Sequence, residues 1–371
     1  MRVLVSAGLF YPSQLGGPAN TLSWLANGLV AKGISVSVVT SNKYIEHGLV
    51  EYDKWISIDD IRIRYCSTKT KLSCSVIWNS IKEINNCNCV ILSSFFYMPN
   101  IFIALYTLLS SKKLIWSPRG ELYNNAIKES NAKQVFVKIL KLIFKRRAVF
   151  HATSLEEKKN IEKYLGSNVK TFVIPNHMEL PEKVKRNESK DMYLLYVGRI
   201  APIKALDRLL LGLANSDAFI ESDYKLLIAG GVEKQFEGYY NQLKKILAEN
   251  LSLKEKVVFL GNVEGEQKFQ LYADAYYSIL VSHSENFGNV VIEALSQGTP
   301  VIASHGTPWQ KLVDSKAGLW IDNNENEIAK SIDKVIAMDE EDYLHIRDNA
   351  YKLALEFDVY NNIDSWIKVL Q

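Results

Sequence analysis

Apolar and polar positions follow two rhythms along this chain. Short runs of β-branched and aliphatic residues read as buried strands, and the stretches between them carry apolar residues at helical spacing. In the first half the strands expected are Val3–Ser6, Ser35–Thr40, Val90–Ser93, Lys113–Trp116 and Val149–Ala152. A helix is expected from about Asn20 to Lys32, closed by Gly33. The polar run Pro181–Asp191 reads as a linker. Beyond it the rhythm restarts, with strands at Tyr193–Val197, Lys225–Ala229, Val257–Leu260, Ser278–Val281 and Thr299–Ala303. Helices are expected at Leu206–Asn215, Gln235–Asn250 and Val290–Gln297. Strands alternating with helices specify parallel, doubly wound sheets. The fold class is therefore α/β, with two Rossmann-like parallel-sheet domains over residues 1–175 and 176–354. The tail, 355–371, carries Trp366 and is expected to pack back on the first domain.

A length of 371 residues suits two such domains. Hydrophobic residues at 47% and charged residues at 23% are ordinary for a soluble protein. A net charge of +3 is too small to call for nucleic acid. The four cysteines, Cys66, Cys74, Cys87 and Cys89, form no C-x-x-C pair. They argue against zinc and read as buried thiols in a reducing compartment. Met1–Gly8 reads as a first strand without a signal-peptide pattern, which points to the cytoplasm. The apolar stretch Val90–Trp116 is broken by Pro99, Asn100 and two lysines, so it is no membrane span.

The strongest chemical constellation is Ser284–Ala294. Glu285 follows a strand and Glu293 lies eight residues on, in the first turns of the next helix. Between them Gly288 lets backbone approach a ligand closely. The N–H groups of Gly288, Asn289 and Val290 at the helix start make an anion site, and the helix dipole adds to it. A diphosphate there would leave Glu285 beside an attached sugar and Glu293 near a ribose. The alternative is a loop charge and a solvated helix residue. A second constellation is Gly198-Arg199 and Lys204, at the carboxyl end of a strand and in the loop opening the next helix. Two cations there would clamp a diphosphate and stabilise its charge on leaving, with no metal or cofactor.

These motifs, with Gly16-Gly17-Pro18, Ile174-Pro-Asn176 and Val258–Gly261, occur in order over nearly the whole chain. The chain resembles the family 4 retaining glycosyltransferases of the GT-B fold, in which two Rossmann-like domains face each other across a cleft. The resemblance implies an N-terminal acceptor domain and a C-terminal donor domain. Arg199 and Lys204 would bind the donor diphosphate, Glu285 would lie by the sugar, Glu293 by the ribose, and Phe287 would also contact the donor. The segment from Gly261 through Asn262 and Val263 would lie against the base, and the Gly16-Gly17 loop of the first domain would close over the diphosphate and acceptor. The catalytic set implied is Glu285, Arg199 and Lys204. The implied donor is a nucleotide diphosphate sugar, UDP-linked before GDP-linked. The acceptor is a glycan or lipid-linked glycan of a surface polysaccharide such as O-antigen or capsule.

The chain departs from the family at two places. Ala205 replaces a common Gly after Lys204. In Ser117-Pro-Arg119-Gly-Glu121, Arg119 stands where many relatives place His, a form similar to that of bacterial surface-polysaccharide transferases. Arginine cannot serve as a base. It either orients substrate or pairs with Glu121 or another carboxylate. His151 is read as structural. A third feature is the basic amphipathic stretch Lys133–Arg147, with Val135, Phe136, Ile139, Leu140 and Ile143 as its apolar face. That face is expected in the core, with the lysines in water and available to an anionic membrane. Rival functions are a sugar-nucleotide epimerase of the same fold and a non-catalytic nucleotide-sugar-binding protein. An NAD-dependent oxidoreductase fails on the missing G-x-G-x-x-G turn after the first strand.

Overall fold

The computed structural model describes residues 1–13, 17–68, 70, 72–123, 127, 131–187 and 192–371. The Gly16 position and most of the linker tip lie outside these residues. The chain divides into two compact units: Met1–Glu179 with Asp358–Gln371, and Leu180–Phe357.

The first unit holds an eight-stranded sheet in the order β3-β4-β2-β1-β5-β6-β7-β8. Its strands are β1 (Arg2–Ala7), β2 (Ser35–Ser41), β3 (Trp55–Ile58), β4 (Ile61–Cys66), β5 (Cys89–Ser93), β6 (Lys113–Ser117), β7 (Val149–Ala152) and β8 (Lys170–Val173). All pairings are parallel except β3 with β4. Alternate residues of β1 serve opposite faces: Leu4 enters one core and Val3 and Val5 the other. A strand covered on both sides reads as a continuous apolar run, which is why the parallel strands are legible in the sequence. The helices α1 (Gly17–Ala31), α2 (Cys74–Ile84), α3 (Met98–Leu109), α4 (Asn131–Phe144) and α5 (Leu155–Leu165) cover the faces.

The chain returns to this unit at Asp358, where Val359 N–H donates to the Met178 carbonyl at 2.9 Å. Val359, Ile363, Trp366 and Leu370 are buried beside α1. Gly28 makes room for them, since a Cβ there would sit 2.8 Å from Val359 Cγ2. Trp366 packs on His151 and Phe172, with centroids 4.5 and 5.5 Å away.

The second unit is a six-stranded, wholly parallel sheet in the order β11-β10-β9-β12-β13-β14. Its strands are β9 (Tyr193–Val197), β10 (Lys225–Ala229), β11 (Val257–Gly261), β12 (Tyr277–Leu280), β13 (Val301–Ser304) and β14 (Gly318–Ile321). Strand order reverses at β9, between β10 and β12, the point in such sheets where ligands bind beyond the carboxyl ends.

Two expectations need correcting. Cys74 is exposed, while Cys66, Cys87 and Cys89 are buried. In α4 the buried residues are Val137, Leu140 and Phe144, and Val135, Ile139, Leu142 and Ile143 lie in solvent. The helix is apolar on more than one side, and the sheet beneath accepts only the stripe at i, i+3 and i+7. Among the described residues no helix is long and apolar enough to cross a membrane.

Candidate active site

Three neighbouring strands of the second unit end in glycine. Gly198 N–H donates to the Ala229 carbonyl at 2.9 Å, Ile200 N–H to Gly231 at 3.0 Å, and Gly230 N–H to Gly261 at 2.7 Å. A Cβ on Gly230 would lie 1.8 Å from the Gly198 oxygen. Only bare backbone permits this approach. Asn262 lies over the same ridge, its Oδ1 2.5 Å from where a Gly231 Cβ would be. Val263 is half-buried just beyond.

Arg199 leaves the end of β9 toward solvent. Its Nη1 donates to Glu233 at 2.8 Å, and that bond holds the Glu233 carboxyl below its usual range. Glu233 was not singled out from the sequence. Lys204 ends a single 3-10 turn, Pro202–Lys204, and its ammonium donates to the Glu285 carboxylate. Both side chains are largely buried, 16% and 14% exposed. Glu285 Oε1 also accepts from Ser282 Oγ at 2.7 Å. Ala205 follows with φ +53°, a left-handed residue, so the backbone explains why glycine is common there. Tyr196, fully buried, donates to the Arg199 carbonyl at 2.9 Å. Burial, then the charge of Glu285, raises its phenol far above the ordinary value.

The loop from Ser282 to Gly288 is held from behind. Glu285 N–H donates to Gly306 at 2.8 Å, and a Cβ on Gly306 would lie 2.4 Å from the His283 oxygen. The indole of Trp309 donates to the Phe287 carbonyl at 2.6 Å. Trp309, Phe287 and Phe357 form one aromatic cluster. Gly288, at φ +84°, then opens α6 (Asn289–Ser296) with no side-chain cap, and Val290 lies in its first turn. Glu293, 7% exposed, accepts from Lys268 Nζ at 3.0 Å and from Tyr272 OH at 3.1 Å. Lys268 and Tyr272 sit four residues apart on one helix, Gly265–Asp274, so they share a face. That spacing was the available signal for them. The second unit thus gathers Lys204 with Glu285, and Glu293 with Lys268 and Tyr272. Arg199 joins neither pair.

Arg119 and Gly17 belong to the first unit, with Gly17 opening α1. Arg119 does not bond Glu121. That carboxylate accepts from Ser94 Oγ at 2.7 Å and from the N–H groups of Phe95 and Phe96. Arg119 Nη1 instead donates to Asn176 Oδ1 at 2.7 Å. His151 bonds Ser117 Oγ and the Ile174 carbonyl, both at 2.8 Å. A carbonyl only accepts, so Nε2 carries the proton and Nδ1 accepts from the serine. Burial pushes His151 down to about 3 and His177 to about 4.

Histidines held neutral by the fold make stability depend on pH. Their folded pKa values lie below the unfolded value of 6.5, so the unfolded chain binds more protons between the two. Stability is whole above pH 6.5 and falls as pH drops through that window toward 4. Between pH 6.5 and 5 each histidine is expected to remove on the order of 1–2 kcal/mol. Burial raises Glu121 and Glu157, which opposes this nearer the carboxylate range. Urea unfolding at pH 7 and 5.5 checks it: His177→Gln should flatten the dependence, and equal slopes in both proteins would refute the assignment.

The chain aligns along 100% of its length with HepE of Anabaena, solved with UDP and glucose, at TM-score 0.78 and 18% identity, covering 99% of that chain. It also aligns over 100% with sucrose-phosphate synthase of Thermosynechococcus elongatus, at TM-score 0.75, 16% identity and 98% coverage. The fold is that of the GT-B glycosyltransferases. Residues 178–353 match the family model of glycosyl transferases group 1. A D-inositol 3-phosphate glycosyltransferase of Mycolicibacterium smegmatis is 33% identical over 144 residues, 38% of this chain and 32% of that protein. The curated relatives are matched over about a third of their length, 37%, 30% and 33% in three cases.

Proposed function

We propose that this chain is a retaining glycosyltransferase. It moves a sugar from a nucleotide diphosphate sugar to a hydroxyl of a glycan or lipid-linked glycan acceptor in surface-polysaccharide synthesis. The observation that carries this reading is Lys204 held on Glu285 beside a glycine-capped helix start, within the segment that matches the family. In this reading the bond from the anomeric carbon to the leaving phosphate oxygen breaks. The acceptor oxygen bonds the same face, and its proton passes to the leaving phosphate. Arg199, Lys204 and the start of α6 stabilise the charge that builds on the diphosphate. Glu285 lies by the sugar and Phe287 also contacts the donor, Glu293 binds the ribose, Gly198 lies with Arg199 at the diphosphate, and Gly261, Asn262 and Val263 border the base. Arg119 orients substrate. No metal takes part, so chelation by EDTA should leave the rate unchanged.

HepE was solved with UDP and with UDP-glucose, and we place UDP ahead of GDP on that ground. The test is a thermal-shift screen with UDP- and GDP-sugars, followed by transfer assays with and without acceptor. Stabilisation by one nucleotide, much reduced in Glu293→Ala, supports the reading. Turnover of donor without acceptor favours the epimerase. Absence of stabilisation at saturating donor favours neither transfer nor donor binding and sinks both.

The exposed residues of α4 bear on the acceptor. Leu142 is 76% exposed and Ile139 51%, beside exposed Lys138, Arg146 and Arg147, and Asn131–Phe150 contains no acid. We propose that this surface rests on the cytoplasmic face of an anionic membrane. Co-sedimentation with phosphatidylglycerol vesicles should fall at least about tenfold in Ile139→Asp/Leu142→Asp, since each apolar side chain contributes about 1.5–3 kcal/mol on burial. Unchanged sedimentation would remove the membrane from the proposal.

A further inference from the structure

The first unit contains a small, partly open pocket of its own. It is lined by Arg119, His151, Asn176, His177 and Trp366, with Thr21 of α1 among the remaining walls. The residues that build it follow the carboxyl ends of β6 and β8, lie in β7, or come from the returning tail. Nothing in the donor chemistry of the second unit uses it.

Its charge is unbalanced. The Nε of Arg119 is fully buried and reaches no hydrogen-bond partner. Nη1 meets only the neutral amide of Asn176. Among the described residues no carboxylate lies within ion-pair distance of this guanidinium. The acid that acts on it electrostatically is Glu157. Both Glu157 oxygens are engaged elsewhere, Oε1 by Gly120 N–H at 2.6 Å and Oε2 by Thr153 N–H and Oγ1 at 2.7 and 2.8 Å. The two histidines stay neutral and add no charge. Arg119 is held in a left-handed turn, φ +56°, which is strained and unusual for a long side chain. A buried cation with a free N–H is normally matched by an anion, because desolvation of an unpaired charge is costly. A planar guanidinium is suited to oxygen pairs of carboxylate or phosphate.

We propose that this pocket is an oxyanion site that receives a phosphate or carboxylate group of the acceptor on Arg119 Nε–H. Assignment of the anion to the acceptor rests on the glycosyl-transfer reading, whereas the existence of the site does not.

The experiment is titration of the whole chain at pH 7.5 with methyl phosphate and, separately, acetate, followed by thermal shift and calorimetry. Four proteins are compared: wild type, Asn176→Asp, Arg119→Gln and Lys204→Met. Asn176→Asp is nearly isosteric and supplies an internal counter-ion, so it should melt no lower than wild type yet bind the anion at least about tenfold more weakly, the worth of one charge-assisted bond. This variant keeps the test open if Arg119→Gln folds poorly. Lys204→Met should lose any binding at the donor diphosphate site and keep the binding that Asn176→Asp weakens. The methyl phosphate and acetate arms decide which oxyanion the pocket prefers. Binding unaffected by Asn176→Asp, or lost only in Lys204→Met, overturns the site. Displacement of methyl phosphate by UDP through Arg119 gives the anion to the donor and overturns its assignment to the acceptor. UDP stabilisation in Asn176→Asp reports on the transferase reading separately.

Discussion

Lys204→Met is expected to lower kcat about 10²–10³-fold, the usual loss when one pre-positioned donor to a developing negative charge is removed. The structure separates this from a stability effect. Lys204 and Glu285 are paired in a largely buried setting, so removing the cation leaves a buried carboxylate with Ser282 as its hydrogen-bond donor among the described residues. The expected cost is about 1–3 kcal/mol, at the lower end because both side chains retain some water contact. Glu285→Gln in the same protein removes the stranded charge. The double variant should recover most of the lost stability in urea and none of the lost turnover. Turnover that returns with stability would mean that the pair is a structural ion pair and that the catalytic assignment fails.

Trp309→Ala is expected to cost about 3–5 kcal/mol, as truncation of a buried aromatic side chain does. Trp309 is 1% exposed and packs on both Phe287 and Phe357. Trp309→Phe separates packing from hydrogen bonding. It keeps a ring in the cluster but leaves the Phe287 carbonyl without the indole donor, at about 1–3 kcal/mol. Because that bond fixes the loop between Glu285 and Gly288, the phenylalanine variant should raise the donor KM more than it lowers kcat. Equal stability of Trp309→Ala and wild type would show that the cluster does not hold the loop. A phenylalanine variant with unchanged KM would show that the loop needs no such support.

The parallel strands were readable because a strand buried on both faces is a run of apolar residues with no polar alternation. Tyr193–Val197 and Lys225–Ala229 have the same limits in sequence and structure. The strands β3, β4, β8 and β14 are not legible in the sequence. Ile61–Cys66 is interrupted by exposed Arg62 and half-buried Arg64, and Gly318–Ile321 is only half-buried and opens on a glycine that stands against Val301 backbone. The glutamates at 285 and 293 were readable as chemistry because a glycine stands between them at a strand-to-helix junction. Their present partners were not. Lys268 reaches Glu293 from another helix, and Glu233 meets Arg199 from 34 residues away.

The sequence by itself determined the central parallel strands, where glycine must stand, and the order of motifs along the chain. These follow from local rules: burial on both faces of a strand, left-handed backbone, and spacing along a helix. Tertiary structure alone decided which stripe of α4 is buried, because that depends on the sheet beneath it. It also decided which residues of the returning tail, Val359, Ile363, Trp366 and Leu370, enter the core of the first unit, and that Arg119 turns to Asn176 rather than to Glu121 two residues away. In each case the deciding contact joins segments far apart in the chain, and no local pattern records which partner the folded backbone brings within reach.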